Sequence, residues 1–379
     1  MFKALKQLFA KDNKDLRIRI YYSLAMLFIF VLGTSIRIPG TNTIDGTTDF
    51  FQLLNTMGGG ALRNFSIFAL GVMPYITAQI ILQLLEMDIV PYLAELSKQG
   101  AIGRQKLNQI SRVAGIIFAF IEGFAFAFAF MGKKGAPIDY LYIAVVLTAG
   151  TSFLLWLGDQ ISKKGLGNGV SLIIMAGIIS SLPQMFIDVF KSLIVFSGGA
   201  QAIILGVIKF LSFVFVYFAI IVGVIFVENS ERRIPIQYAN KSTAYGQQAQ
   251  SFMPVKLNSA NVMPVIFASS LLAIPSIIST VVQKEKFTLF VQKYLNYSTP
   301  VGFCIYIILI FLFTYFYTFI AIKPDEFSKN LQENGGYIPG IKPGEETKKY
   351  VSKILSRLTV IGAAFLSILA ALPILFSKF

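Results

Sequence analysis

Histidine is missing altogether from this 379-residue sequence, and cysteine occurs once, as Cys304. The first absence removes the usual general base, the commonest metal ligand and any Ser-His arrangement. The second excludes a disulfide within the chain and a multi-cysteine metal cluster. There is also no GxxxxGK[ST] phosphate loop and no pair of mid-span aspartates. Histidine-dependent, aspartyl-protease and metal-dependent chemistries lack their ingredients, so the chain reads as no enzyme and as a holder of no cofactor or metal. Charge is scarce too, at 14% of residues where a soluble domain carries about 25%.

Apolar residues fill the chain instead: 55% are hydrophobic, 36 are Phe, and the mean hydropathy is +0.69. A membrane helix needs roughly 20 mostly apolar residues. Charged residues delimit nine such stretches, at about 20–36, 64–85, 113–132, 140–158, 169–187, 203–227, 259–282, 300–322 and 358–377. Helices are the reading, because in lipid every backbone polar group must be satisfied within its own segment. No cleavable signal peptide is expected, since the apolar stretch after the six basic residues of 1–19 has no small-residue cleavage site.

A cytoplasmic N-terminus puts 1–19, 88–112, 159–168, 228–258 and 323–357 inside. These hold 23 of the 33 Lys and Arg residues, against nine in the outer connections and the C-terminal tip. That asymmetry favours this orientation. The net charge of +14 then needs no nucleic acid, because inner loops facing anionic lipids account for most of it. The segments 228–258 and 323–357 are nevertheless long for connections, and long loops in compact proteins carry function. Their basic character suits ribosomal RNA or an acidic motor surface.

Several local features stand out. The run Phe50, Phe51, Leu53, Leu54, Met57 followed by Gly58-Gly59-Gly60-Ala61-Leu62 is too apolar for a solvated loop and too short to span. It reads either as a re-entrant segment lining a cavity or as an amphipathic helix at the outer interface. Pro74, within the second stretch, favours a kink. Ile76 and Ile80 share a helix face, as do Ile174 and Ile178; by spacing alone such isoleucines pack or face lipid. Glu122 lies ten residues from Arg112 and eleven from Lys133, near mid-membrane, where a carboxylate by default marks a functional interior. Lys209 can snorkel to the outer interface and carries no assigned role.

The sequence resembles the SecY family, and its bacterial form most. The carrying residues are FSIFALGVMPYI at 65–76 continuing through Gln83-Leu84-Leu85, GLGNGVSLIIMAGI at 165–178, RRIPIQYA at 232–239, PVKLNSANVMPVIFASS at 254–270 and YIPGIKPGEETKKYVSKILSRLT at 337–359. The resemblance implies an all-α membrane bundle of two pseudo-symmetric halves around a central pore. The halves would be 20–190, with spans one to five and a plug at about 48–66, and 191–379, with spans six to nine. Ile76, Ile80, Ile174, Ile178 and Ile266 would form most of a hydrophobic pore ring, and Gly58, Gly59, Gly60, Ala61 and Leu62 part of the plug. Gln83, Glu122, Ser269 and Ser270 would belong to a lateral gate of spans two, three, seven and eight. Arg232, Arg233 and Lys342 would contact partners.

The implied partners are the small membrane subunits SecE and SecG, the SecA ATPase motor, the ribosome, signal sequences and nascent chains, and anionic lipids. The implied place is the bacterial cytoplasmic membrane, and the implied activity is passive conduction of unfolded proteins with lateral release of apolar helices. Two departures accompany it. The family has ten spans where nine are counted, the last matching the ninth. Lys342 stands where the family carries arginine, which keeps the charge and loses the bidentate fork. The rival function is a secondary solute transporter, which also uses paired halves and broken helices. It calls for several intramembrane charges, where Glu122 is the one acidic residue deep in a stretch.

Overall fold

The computed structural model describes residues 14–39, 41, 58–86, 89–131, 136–194, 199–238, 251–282, 284–296 and 299–376. Its helices are α1 (Lys14–Thr34), α2 (Met73–Leu85), α3 (Pro91–Lys98), α4 (Gly100–Met131), α5 (Pro137–Lys164), α6 (Gly169–Leu193), α7 (Gly199–Asn229), α8 (Met263–Val282), α9 (Glu285–Tyr294), α10 (Pro300–Ala321), α11 (Pro324–Glu333) and α12 (Glu345–Phe376). Three short strands join them: β1 (Glu231–Tyr238), β2 (Ser251–Lys256) and β3 (Gly336–Tyr337). Among the described residues, seven helices (α1, α4, α5, α6, α7, α10, α12) are long and apolar enough to cross a membrane, and α2 and α8 contain shorter apolar helices. They occupy the nine apolar stretches of the sequence. The chain is a multi-pass, mostly helical membrane protein.

Proline starts helices here. Pro91, Pro137, Pro300 and Pro324 stand in the first turns of α3, α5, α10 and α11, where the missing N–H would have no partner anyway. Pro74 does the same for α2, which corrects the expectation of a helix over 64–85 kinked at that proline. Residues 58–72 are turns instead. Phe65 (φ 45°) and Gly71 (φ 58°) take left-handed backbone that no right-handed helix can run through.

Two compact units divide the chain. The first holds the residues up to Ser192 with Ser276–Thr288, and the second Leu193–Pro275 with Leu289 onward. In the first, α4 packs on α5 along small side chains. Ala119, Ala127 and Ala144 are fully buried, and a Cβ on Gly123 would lie 3.3 Å from the Ala144 carbonyl oxygen. Small residues let membrane helices approach closely where lipid supplies no hydrophobic drive. An ion pair between Arg112 and Asp159 ties the same two helices. At the α5–α6 turn, Asn168 Oδ1 accepts the N–H groups of Val170 (3.0 Å) and Ser171 (3.3 Å), capping α6. Gly169 then sits so close to the Gly158 carbonyl that no side chain fits. The GLGNG run is thus a tight, capped turn.

In the second unit, α8, α10 and α12 enclose Ala268, Leu272, Tyr306, Ile310, Leu366 and Ile374. Phe267 meets Phe313 at 5.4 Å and Tyr317 at 4.5 Å, edge-on to the latter. The segments read as loops 228–258 and 323–357 are folded together where described. β1 pairs with β2 over six residues, from Glu231↔Lys256 to Ile236↔Ser251, and with β3 through Gln237↔Tyr337. Ile234, Ile236, Val255, Leu331, Ile338, Val351 and Leu355 close an apolar core between this sheet, α11 and the start of α12. The alternation of Ile234 and Ile236 buries one face of β1 and turns Arg233 to the other, while Arg232, at the start of the strand on the Ile234 side, is exposed as well. Residues 239–250, between β1 and β2 in the sequence, lie outside the described residues.

Candidate functional site

The expected plug is described from Gly58 onward; Phe50, Phe51, Leu53, Leu54 and Met57 lie outside the described residues. The described part is neither a re-entrant helix nor a surface helix. Gly58–Val72 is a buried strap of turns, with Ala61, Phe65 and Ser66 fully enclosed and Leu62 at 2% exposure. Gly59 and Gly60 have positive φ, and a Cβ on Gly59 would lie 3.2 Å from Gly177 Cα on α6. The strap is pinned on two more sides. Ile38 N–H donates to Phe65 O (3.1 Å) and Ile67 N–H to Ile36 O (3.1 Å), while Thr151 Oγ1 of α5 donates to Gly71 O (3.1 Å). Phe68 stacks between Phe30 of α1 (6.2 Å) and Phe153 of α5 (5.9 Å). Irregular backbone survives at membrane depth where protein covers it, and here its polar groups are satisfied by neighbours.

Of the expected ring residues, Ile76 and Ile80 are buried on one face of α2. On α6, Ile173 (2% exposed) and Gly177 form the buried face, while Ile174 is half-buried and Ile178 is 37% exposed. The strap therefore meets α6 one residue from Ile178. Ile266, half-buried in the first turn of α8, belongs to the second unit.

The expected gate residues divide likewise. Gln83 and Glu122 are half-buried on α2 and α4 of the first unit. Ser269 and Ser270 are buried on α8 of the second. Ser269 Oγ donates to Val265 O (2.8 Å) and lies 3.3 Å from the Tyr306 hydroxyl of α10. Ser270 Oγ is buried without a hydrogen-bond partner among the described residues.

The expected contact residues all stand on the sheet-centred body. Arg232 and Arg233 are exposed on β1 opposite Val255 and Pro254. Arg233 Nε pairs with Glu231 Oε1 at 2.8 Å, and its guanidinium lies over the Phe252 ring at 4.7 Å. Lys342 is exposed in the loop after β3, whose shape is held by Thr347 Oγ1 donating to Lys342 O (2.9 Å) and Ser328 Oγ donating to Gly344 O (2.6 Å). Pairing of β1 with β3 makes the two loops one body. β3 is two residues long, too short to leave a strand pattern in the sequence.

Two polar contacts carried no signal in the sequence. Arg112 and Asp159 counted only as charges that end spans. Asn258, 2% exposed, donates through Nδ2 to Glu228 Oε1 at 2.7 Å, thirty residues away. Nothing local to either residue points to the other.

Comparison with known proteins follows the same lines. The SecY family model matches residues 66–379. The protein translocase subunit SecY of Staphylococcus aureus is 46% identical over 381 residues, covering 97% of this chain and 88% of that protein. A solved protein-conducting channel superposes with a TM-score of 0.66 at 19% identity, covering 93% of this chain and 84% of its own. Sec61 from the canine ribosome-channel complex of the endoplasmic reticulum superposes at 0.63 with 18% identity, over 93% of this chain and 84% of its own. The two structures speak for the fold, and the sequence matches speak for descent. By a match running from the buried strap to the last helix, and by a relative almost half identical along nearly its whole length, the chain belongs to the SecY family of protein translocase subunits.

Proposed function

We propose that the chain forms a channel in the bacterial cytoplasmic membrane through which unfolded proteins cross, and from which apolar helices leave sideways into lipid. The observation that carries this is the strap: irregular, buried backbone beside α6, next to Ile178, that is held by short contacts on three helices. That is the construction a removable seal requires. Ile76, Ile80, Ile174, Ile178 and Ile266 are the ring. Branched aliphatic side chains dewet an empty constriction and yield around a passing chain without binding it tightly. Gly58 to Leu62, with the rest of the strap behind them, restore the seal between uses.

Gln83, Glu122, Ser269 and Ser270 line the seam that opens for a signal sequence, whose transfer to lipid drives its own release. The N-terminus is cytoplasmic, as the distribution of Lys and Arg favours. The body bearing Arg232, Arg233 and Lys342 then faces the cytoplasm, where the SecA motor or the ribosome docks. Sec61 of the canine complex is bound to a ribosome, which supports that second partner. SecE and SecG complete the membrane assembly, and anionic lipids meet the remaining basic groups. The channel performs no chemistry, and energy comes from the motor or the membrane potential.

Reconstitution with the small subunits into liposomes tests this. With motor and ATP, a preprotein should become protected from added protease inside the vesicles. Solute uptake with no preprotein protection would favour the transporter reading instead.

A further inference from the structure

The root of the β1–β2 hairpin holds a polar clasp that the roles above leave unused. α7 ends at Asn229, the chain runs out along β1 and back along β2, and α8 starts at Met263. At the root, Leu257 N–H donates to Ser230 O at 2.9 Å. Beside that backbone contact, Asn258 Nδ2 donates to Glu228 Oε1 at 2.7 Å and reaches Asn261 O at 3.3 Å. A carboxylate accepts only, so the amide nitrogen must be the atom that faces it. Asn258 is 98% enclosed, and its Oδ1 has no hydrogen-bond partner among the described residues. Asn261 then turns through φ 53°, and Ile266 N–H donates to Val262 O in the first turn of α8. On the remaining side, a Cβ on Gly362 of α12 would lie 2.8 Å from Leu257 O.

The hairpin is stiff: six paired residues and an apolar core join it to α11 and α12. Whatever moves the hairpin therefore moves its root, and the root continues into α8 within five residues. Without the clasp, the end of α7 and the approach to α8 are linked across the root by the Leu257–Ser230 contact. With it, a charge-assisted hydrogen bond cross-braces them.

We infer that the Glu228–Asn258 hydrogen bond is a positioning element that transmits displacement of the docked hairpin into the first turn of α8, and so to Ile266. The inference rests on the docking and ring roles proposed above. Asn258 is enclosed within its own chain and acts through α8.

The test uses the full chain with its small subunits in proteoliposomes, driven by motor and ATP. Asn258→Asp keeps the shape and sets two carboxylates against each other. Motor affinity for the vesicles should stay within about twofold, while preprotein moved per bound motor should fall about tenfold, the scale of one lost charge-assisted hydrogen bond. Combining Glu228→Gln with Asn258→Asp swaps donor and acceptor, and should recover translocation to within about threefold of the unaltered chain. Glu228→Gln alone keeps a neutral bond, and should cost about twofold to threefold even where Asn258→Asp fails to reach the membrane. Unaltered translocation in Asn258→Asp would overturn the inference. So would a swap that assembles with the subunits and recovers nothing, or a loss confined to motor binding. Failure of the channel reading itself would show separately, as no translocation by the unaltered chain.

Discussion

Ile76 and Ile178 are given the same role, yet Ile76 is 5% exposed and Ile178 37%. On the proposed reading, α6 turns one face to its own unit and another to the lumen, which gives Ile178 its exposure. Ile173 and Gly177 take the packing face, and Ile174 and Ile178 stand a quarter-turn away. Spacing alone could not separate these faces, because an isoleucine that packs and one that lines a dewetting ring look alike in sequence. Substitution separates them. Ile178→Gly should raise ion conductance of resting channels about tenfold by wetting the constriction. Ile173→Val should instead cost about 0.5–1.5 kcal/mol of stability and leave conductance unchanged. Planar-bilayer recording and thermal unfolding in detergent read the two effects.

At the scale of elements, the long helices were the most legible parts, since 20 apolar residues bounded by charge have one stable solution in lipid. The errors came where backbone geometry overrules composition. The apolar run at 64–72 has the composition of a helix, and Phe65 and Gly71 make it a strap. Pro74, within an apolar stretch, predicts a kink and is instead a helix start. The polar segments after α7 and α10 read as two loops in sequence, because the pairing that unites them joins Gln237 to Tyr337 across a hundred residues.

The strap's seat can be probed at one atom. A Cβ on Gly150 of α5 would fall on the Ile67 carbonyl oxygen. Gly150→Val should therefore cost about 1–3 kcal/mol through overpacking, lower the melting temperature and loosen the seal. Unchanged melting and unchanged leak would show that the strap is not seated on α5 as described.

For the whole molecule, membrane class and family were readable from the chain, the first from scarce charge and the second from five motifs in order. The candidate sites rest on motif residues, and the sequence says nothing of their arrangement. The residues proposed for the ring and the gate are divided between the two units, and no span announces in its sequence which of its faces packs on another forty or more residues away. The proposed contact residues are the exception: Arg232, Arg233 and Lys342 are exposed on one body, built on a single sheet-and-helix core within the second unit.

A stalled chain tests the channel most directly. With Cys304→Ser, a single cysteine can be placed at Ile178, or at Phe226, which is 76% exposed on α7. A preprotein halted mid-passage by a folded tail, carrying one cysteine in its extended part, is then oxidised in the membrane. A disulfide to position 178 and none to position 226 is the predicted result. Equal yields at both positions, or none at 178, would contradict a path through the isoleucine ring.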